Sequence, residues 1–275
     1  LSSEYNVGTY TSPHLLEFNE RIKINGKSIK DNRIIRSFER INNLKKKIRL
    51  TYFDYATLAA FDIFSEEELD FAILEIGIGG KYDPVNLINS DLSIITNIEL
   101  DHEKWLGSSL EDIGDQKAAI LKKGKLAILG SYEMPNSVTT KATEICSSHY
   151  QLNKDFFIQE NKTHCSYSFS EKNCNLDFPS NGSLNTDAAA SAITAYNLLS
   201  NKEVEFQSII EKTKLKGRCD IVNNFILDVS HNPASVKNLI SFIEKNFKDQ
   251  KFKAIFAAMS EKDSSSIIKE IAHLI

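Results

Sequence analysis

The feature that most restricts the fold is an alternation of short apolar, β-rich runs with helical patterns of ten or more residues. Strands are expected at 71–76, 92–97 and 126–129, with a helix at 110–122 between the last two. Such repetition builds βα units and a mainly parallel sheet flanked by helices, the α/β class. Ser109 is a candidate N-cap for the 110–122 helix, Asp112 stands three residues on, and Gly124 follows its end. Helices are also expected at 54–64 and 188–199, where apolar residues recur at helical spacing without internal Gly or Pro. "RIKINGKSI", residues 21 to 29, alternates about Asn25-Gly26, the pair suited to a type I′ hairpin. Residues 159–187 are polar and broken by turn formers, which predicts short antiparallel strands and loops.

A second alternation follows "KLKGRCD": strand 225–229, helix 234–247, strand 252–258 and a helix from Ser264. A chain of 275 residues exceeds what one core usually serves, so two domains are expected, 1–213 and a smaller Rossmann-like 214–275, with the boundary at Lys214 to Arg218.

Hydrophobic residues at 41% and charged residues at 25% exclude wholesale disorder, and a net charge of -4 gives no global attraction to nucleic acid or anionic membrane. No apolar run approaches the roughly 20 residues of a membrane span, and no signal-like pattern opens the chain, so a cytoplasmic location is expected. Cys146, Cys165, Cys174 and Cys219 form neither a C-x-x-C pair nor a zinc-ligand spacing and are expected to be reduced thiols. The chain opens on Leu1 and ends on "HLI" within a helical pattern, so both domains are expected to be incomplete.

In a parallel sheet, ligands gather at the C-terminal strand ends. "ILEIGIGGKYD", residues 73 to 83, runs into Glu75 and a glycine turn, while "NIELDH" carries the next strand into Asp101 and His102. A carboxylate and an imidazole are thereby expected at one cleft edge, although an isolated strand-end acid is more often a capping residue. Oxygen donors with one imidazole and no thiolate suit Mg²⁺, which shares its shell with phosphates, so a nucleotide is its natural companion. No G-x-x-x-x-G-K-[ST] loop is present: Arg21 stands where the first glycine of "NGKS" must be, and Tyr82 follows the Lys81 of "GIGGK". "LDVSHNPAS" supplies Asp228 at a strand end, then His231, with Asn232 as N-cap and Pro233 in the first helical turn. That pattern is at least a well-capped strand-to-helix turn, and it also suits a ribose or phosphate.

Together these segments resemble the dihydrofolate synthase/folylpolyglutamate synthase family, the folate branch of the Mur ligase superfamily. The resemblance runs in order through "YTSPHLLEFNERIKING", "LTYFDYATLAAF", "LEIGIGGKYDPVN", "ITNIELDHEKWLGSSLEDIGDQKAAILKKGK", "KGRCDIV", "LDVSHNPAS" and "AAMSEKD". It implies a Mur-ligase-like ATPase domain followed by a glutamate-ligase domain, and an ATP-dependent amide ligase. Dihydropteroate or folate, ATP and L-glutamate are the implied substrates, with Mg²⁺ and, as a further candidate, a monovalent cation as cofactors. A monomer without nucleic-acid or membrane partners is the accompanying expectation.

Carried over by motif, Glu75 and His102 are implied metal ligands, and Lys117 is implied to become one on carbamylation; these three are also the implied catalytic set. Arg218 would clamp phosphate oxygens, with Asp228 and His231 at the nucleotide and Asp187 near the adenine. Thr51, Phe53 and Asp83 are the implied pterin pocket, with Ser12 and His14 in the loop beside it. Lys81, Pro84 and Asp187 depart from the family's usual Arg, Ala and Asn. The family's phosphate loop lies upstream of the first matching motif, so this span alone is expected not to turn over ATP. A peptidoglycan Mur ligase and a non-catalytic folate-binding remnant are the alternatives. "TSPHL" and "TYFDY" weigh against the first. Joint retention of Glu75, His102, Lys117, Asp228 and His231 weighs against the second.

Overall fold

The computed structural model describes residues 1, 4–161, 163–179, 184–248, 250–259 and 263–275. The chain opens with β1 (Val7–Tyr10), β2 (Ile22–Ile24) and β3 (Lys27–Ser28), then α1 (Asp31–Leu44), α2 (Tyr52–Ser65) and β4 (Phe71–Leu74). Next come β5 (Leu92–Ile95), α3 (Glu103–Leu106), α4 (Leu110–Ala118), β6 (Leu126–Leu129), α5 (Asn136–Ile145) and β7 (Ser148–Gln151). A meander follows of β8 (Phe156–Glu160), β9 (His164–Phe169) and β10 (Cys174–Pro179), then α6 (Thr186–Leu199) and α7 (Phe206–Lys212). β11 (Asp220–Val222), β12 (Phe225–Leu227), α8 (Pro233–Asn246) and α9 (Ser264–Ile271) complete the order.

The fold is α/β, as the alternation requires. One sheet has the order β3-β2-β1-β4 and another β5-β6-β7. β1 pairs parallel with β4, Tyr10 opposite Leu74, and antiparallel with β2. The Asn25-Gly26 hairpin forms as read: both residues have positive φ, 49° and 75°, and β2 returns into β3 with Ile24 opposite Lys27.

The chain packs as two units. The first comprises Leu1–Ser93, His102–Ala127 and Pro135–Ser148; the second comprises Ile94–Asp101, Ile128–Met134 and His149–Ile275. Residues 214–218, where the sequence suggests a boundary, lie inside the second unit.

In the first unit Tyr10, Ile22, Ile34, Ile41, Ala56, Ala60 and Ile63 form a buried core that joins β1 and β2 to α1 and α2. The small alanines of α2 let the helix approach closely. That helix starts at residue 52, two residues earlier than its apolar spacing indicates, because Thr51 and Asp54 make a capping box. The Thr51 hydroxyl accepts the Asp54 amide at 3.1 Å, and the Asp54 carboxylate accepts the Thr51 amide at 2.8 Å. α4 is capped by Ser109 as expected but ends at residue 118, where Ile120 N–H to Lys117 O and Leu121 N–H to Ala118 O tighten the chain towards Gly124.

In the second unit β8, β9 and β10 form the expected antiparallel strands, and the buried Tyr167 hydroxyl bonds Thr194 of α6 at 2.8 Å. The expected strand at 225–229 is shorter than read. It stops at Leu227 and pairs antiparallel with β11, because the Asp228 carboxylate turns the chain by accepting the Cys219 and Ser230 amides, each at 2.8 Å. The apolar run at 252–258 is not a strand: it has no ladder partner among the described residues, and Ile255 is fully exposed. Residues 260–262 of "AAMSEKD" lie outside the described residues.

Candidate active site

Because β1 and β4 run parallel and in register, their C-terminal ends share one edge. Beyond Tyr10 the chain reaches Ser12, and beyond Leu74 it reaches Glu75. The Ser12 amide donates to Glu75 Oε2 at 2.7 Å, and the Glu75 amide donates to Tyr10 O at 2.9 Å. The acid is therefore one residue past its strand, exposed, with backbone and side chain both tied to the neighbouring segment.

The glycine turn that follows is the point where several elements converge. A methyl group on Gly77 would sit 2.6 Å from Phe53 Cζ and 3.1 Å from Asp83 Oδ2, so these two predicted pocket residues are in fact brought together. On Gly79 a methyl would lie 2.7 Å from Leu106 Cδ2 of α3, the helix that begins just after His102; on Gly80 it would lie 2.7 Å from Ile120 Cγ2 and 3.3 Å from Lys117 O. Only glycine allows α2, α3 and the end of α4 to close on one turn, and Gly79 also has φ 69°.

Asp83 clamps this turn. Its Oδ2 accepts the amides of Gly77 at 2.9 Å and Ile78 at 3.1 Å, and its Oδ1 accepts that of Val85 at 2.9 Å. Burial raises its pKa above the usual carboxylate value, opposed by those three amides. Thr51 caps the helix that carries Phe53.

His14 lies on the loop after Ser12, and the Nε–H of Arg21 donates to its Nδ1 at 2.8 Å. A guanidinium can only donate, so the imidazole proton of His14 is on Nε2. Arg21 is buried and stacked near the Phe18 and Tyr52 rings, at 5.7 and 5.4 Å. Glu20 accepts the amides of Leu15, Leu16 and Glu17 within 3.0 Å. Sequence reasoning assigned neither residue a role; their signal is a charged pair, Glu-Arg, between apolar Phe18 and Ile22.

The remaining predicted ligands do not come off paired strands. β4 pairs with β1 and β5 with β6, and His102 lies seven residues beyond β5, at φ 55°. Lys117 is half-buried in the last turn of α4. Among the described residues no group of three or more His, Cys, Asp and Glu side chains is placed to hold a metal ion.

In the second unit Asp228 is half-buried and holds the two amides named above, and Arg218 is exposed. His231 Nδ1 is 3.0 Å from Val229 O, which can only accept, so Nδ1 carries the proton. Asn232 caps α8 by accepting the Ser235 amide at 2.8 Å. Asp187 is in the first turn of α6, and desolvation, with Glu160 adding, raises its carboxyl pKa. Burial pushes the Cys219 thiol up to about 12, with Asp228 contributing.

A comparison with protein-family models gives no match. Among curated proteins, the dihydrofolate synthase/folylpolyglutamate synthase of Buchnera aphidicola subsp. Schizaphis graminum is 38% identical over 274 residues, covering 98% of this chain and 65% of that protein. The protein of the same name from Buchnera aphidicola subsp. Acyrthosiphon pisum is 32% identical over 280 residues, covering all of this chain and 68% of the relative. The chain belongs to the dihydrofolate synthase/folylpolyglutamate synthase family.

Family members of known structure share its architecture. The structure of E. coli FolC in complex with DHPP and ADP superposes with a TM-score of 0.93 at 30% identity, over 100% of this chain and 67% of that one. A bifunctional folylpolyglutamate synthase/dihydrofolate synthase with Mn, AMPPNP and L-glutamate bound gives 0.91 at 30% identity, over 100% and 68%. The chain thus spans about two-thirds of the length of these family members. No helix among the described residues is long and apolar enough to cross a membrane.

Proposed function

We propose that this protein is an ATP-dependent amide ligase that adds L-glutamate to dihydropteroate or a reduced folate through an acyl phosphate. The observation that carries the reading is the closure of Phe53 and Asp83 on Gly77, two residues after Glu75, in a chain of this family. An apolar ring beside buried polar groups suits a pterin, and a strand-end acid beside it suits the reacting phosphoryl group. Thr51, Phe53 and Asp83 form the pterin side, and Ser12 and His14 the adjoining loop, with His14 presenting Nε2–H as a donor. Arg218, Asp228, His231 and Asp187 serve the nucleotide. Residues 1–213 act as the ATP-binding domain and 214–275 as the glutamate-ligase domain of a monomeric, cytoplasmic enzyme.

Glu75, His102 and a carbamylated Lys117 make an oxygen-rich donor set that suits Mg²⁺, with the rest of its shell drawn from phosphate and water. The ion would neutralise charge on the phosphate oxygens. A monovalent cation is a further candidate cofactor. The chain's own contribution is positioning: binding, orientation and exclusion of water around two reacting anions. Carbamylation is read by ¹³C NMR after ¹³C-bicarbonate exchange, with Lys117→Ala as the blank.

The test is ADP formation by the full-length gene product with dihydropteroate, L-glutamate, ATP and Mg²⁺, alongside mass measurement of the product. Glutamate-dependent ADP formation with a glutamylated product is expected. No turnover with any pteroate or folate, together with turnover of a UDP-muramyl substrate, would overturn the reading in favour of a peptidoglycan ligase.

A further inference from the structure

Asp101, the residue before His102, has no role in the reading above. Its Oδ2 accepts from Asn232 Nδ2 at 3.1 Å and lies 3.9 Å from His231 Nε2. The Asn232 side chain thereby has two separate tasks. Its Oδ1 caps α8 through the Ser235 amide at 2.8 Å, while its Nδ2 reaches Asp101, 131 positions away in sequence. Aspartate caps a helix as well as asparagine does but has no N–H to give a carboxylate. The choice of an amide at this cap is therefore explained by Asp101. Both contacts fall on the segment that also carries Asp228, whose carboxylate is already committed to the Cys219 and Ser230 amides.

We propose that Asp101 is a positioning residue for the loop 228–232: it holds the Asn232 amide and sets the placement of the His231 ring. This rests on the reading that Asp228 and His231 meet the nucleotide. The bond is a charge-assisted one between partners distant in the chain, so its loss frees the loop without removing the helix cap.

The test is an exchange of the two side chains in the full-length protein. Asn232→Asp keeps the cap oxygen and sets two carboxylates against each other, and ADP affinity is expected to fall about tenfold or more, as for a lost bond to a charged group. Asp101→Asn still accepts from Asn232 but through a weaker, neutral bond, so affinity falls by less than in Asn232→Asp. The double exchange Asp101→Asn/Asn232→Asp restores a donor facing an acceptor and returns affinity to within about threefold of the unaltered protein. The KM for ATP follows the same pattern while that for glutamate stays constant, and circular dichroism shows α8 retained in all three. Failure of the double exchange to recover affinity overturns the positioning role. If the unaltered protein binds no ADP, the nucleotide reading falls, and this role with it; urea unfolding of the same four proteins then still reports whether the two side chains are coupled.

Discussion

Replacing Asp83 tests the idea that a single buried carboxylate builds the glycine turn. In Asp83→Ala the amides of Gly77, Ile78 and Val85 lose their acceptor together. An unsatisfied buried donor costs about 1–3 kcal/mol; the Val85 bond is buried while those of Gly77 and Ile78 are only part-buried, so the expected loss is about 3–5 kcal/mol in total. Asp83→Asn can keep its oxygen at the Oδ2 position for Gly77 and Ile78 but then presents N–H to the Val85 amide, which costs about 1–3 kcal/mol. Asparagine also abolishes a titration. Burial raises the folded-state pKa of Asp83 above its ordinary value of 3.8, so the folded state holds the proton more tightly than the unfolded one. The stability this contributes is fully present below that value and is lost as pH rises through the folded pKa. Relative to Asp83→Asn, the unaltered chain should therefore gain stability as pH falls from 7 towards 4, a difference that cancels the other carboxylates. Urea unfolding followed by circular dichroism at several pH values measures both effects. An Asp83→Ala chain within about 0.5 kcal/mol of the parent, the ordinary range for surface changes, refutes the clamp.

Glu75→Gln, which is nearly isosteric and can still accept the Ser12 amide, is expected to leave unfolding almost unchanged while abolishing Mg²⁺-dependent turnover; normal steady-state kinetics would remove Glu75 from the chemistry. Gly80→Ala puts a methyl 2.7 Å from Ile120 Cγ2 and 2.9 Å from Gln116 O, and should cost about 1–3 kcal/mol in urea unfolding; no loss would mean that the turn yields easily. Cys219, with its thiol pushed up to about 12, should react with iodoacetamide at pH 8 far more slowly than a free cysteine, and rapid labelling traced to it by peptide mapping would contradict its burial.

Features with a local cause were legible in the sequence. Asn25-Gly26 dictates its hairpin because both residues tolerate positive φ, and Ser109 marks the start of α4 because its hydroxyl takes the Asp112 amide at 3.1 Å. α1 is poorly marked in the sequence even though Ile34, Phe38 and Ile41 recur at helical spacing, since its N-cap, Lys30, makes no side-chain cap bond and so offers no start signal. The run at 252–258 reads as a strand by composition, but a strand exists only with a neighbour, and pairing is not encoded in a seven-residue window. At the site, only the resemblance points to Phe53 and Asp83, whereas the reason they meet is spatial: both close on Gly77. Arg21 and Glu20 carry no such signal, because a buried arginine and a carboxylate accepting three amides look, in sequence, like any charged pair.

Those two residues bear on how Glu75 is aimed. The acid's side chain is fixed by the Ser12 amide, and Ser12 opens the loop whose later amides converge on Glu20 and whose His14 is held by Arg21. The loop is thereby tied at one end to Glu75 itself and at the other to the turn before β2, so the amide that holds the acid belongs to a segment that is itself preorganised. Preorganisation matters most where two anions must be held against their repulsion, because any freedom left in the acid must be lost at the moment of reaction. Disturbing Glu20 should accordingly harm turnover from a distance. Glu20→Gln, which keeps one acceptor oxygen and loses the charge, should raise the KM for the proposed pteroate substrate and lower kcat together, whereas a loop that merely covers the site would raise KM alone.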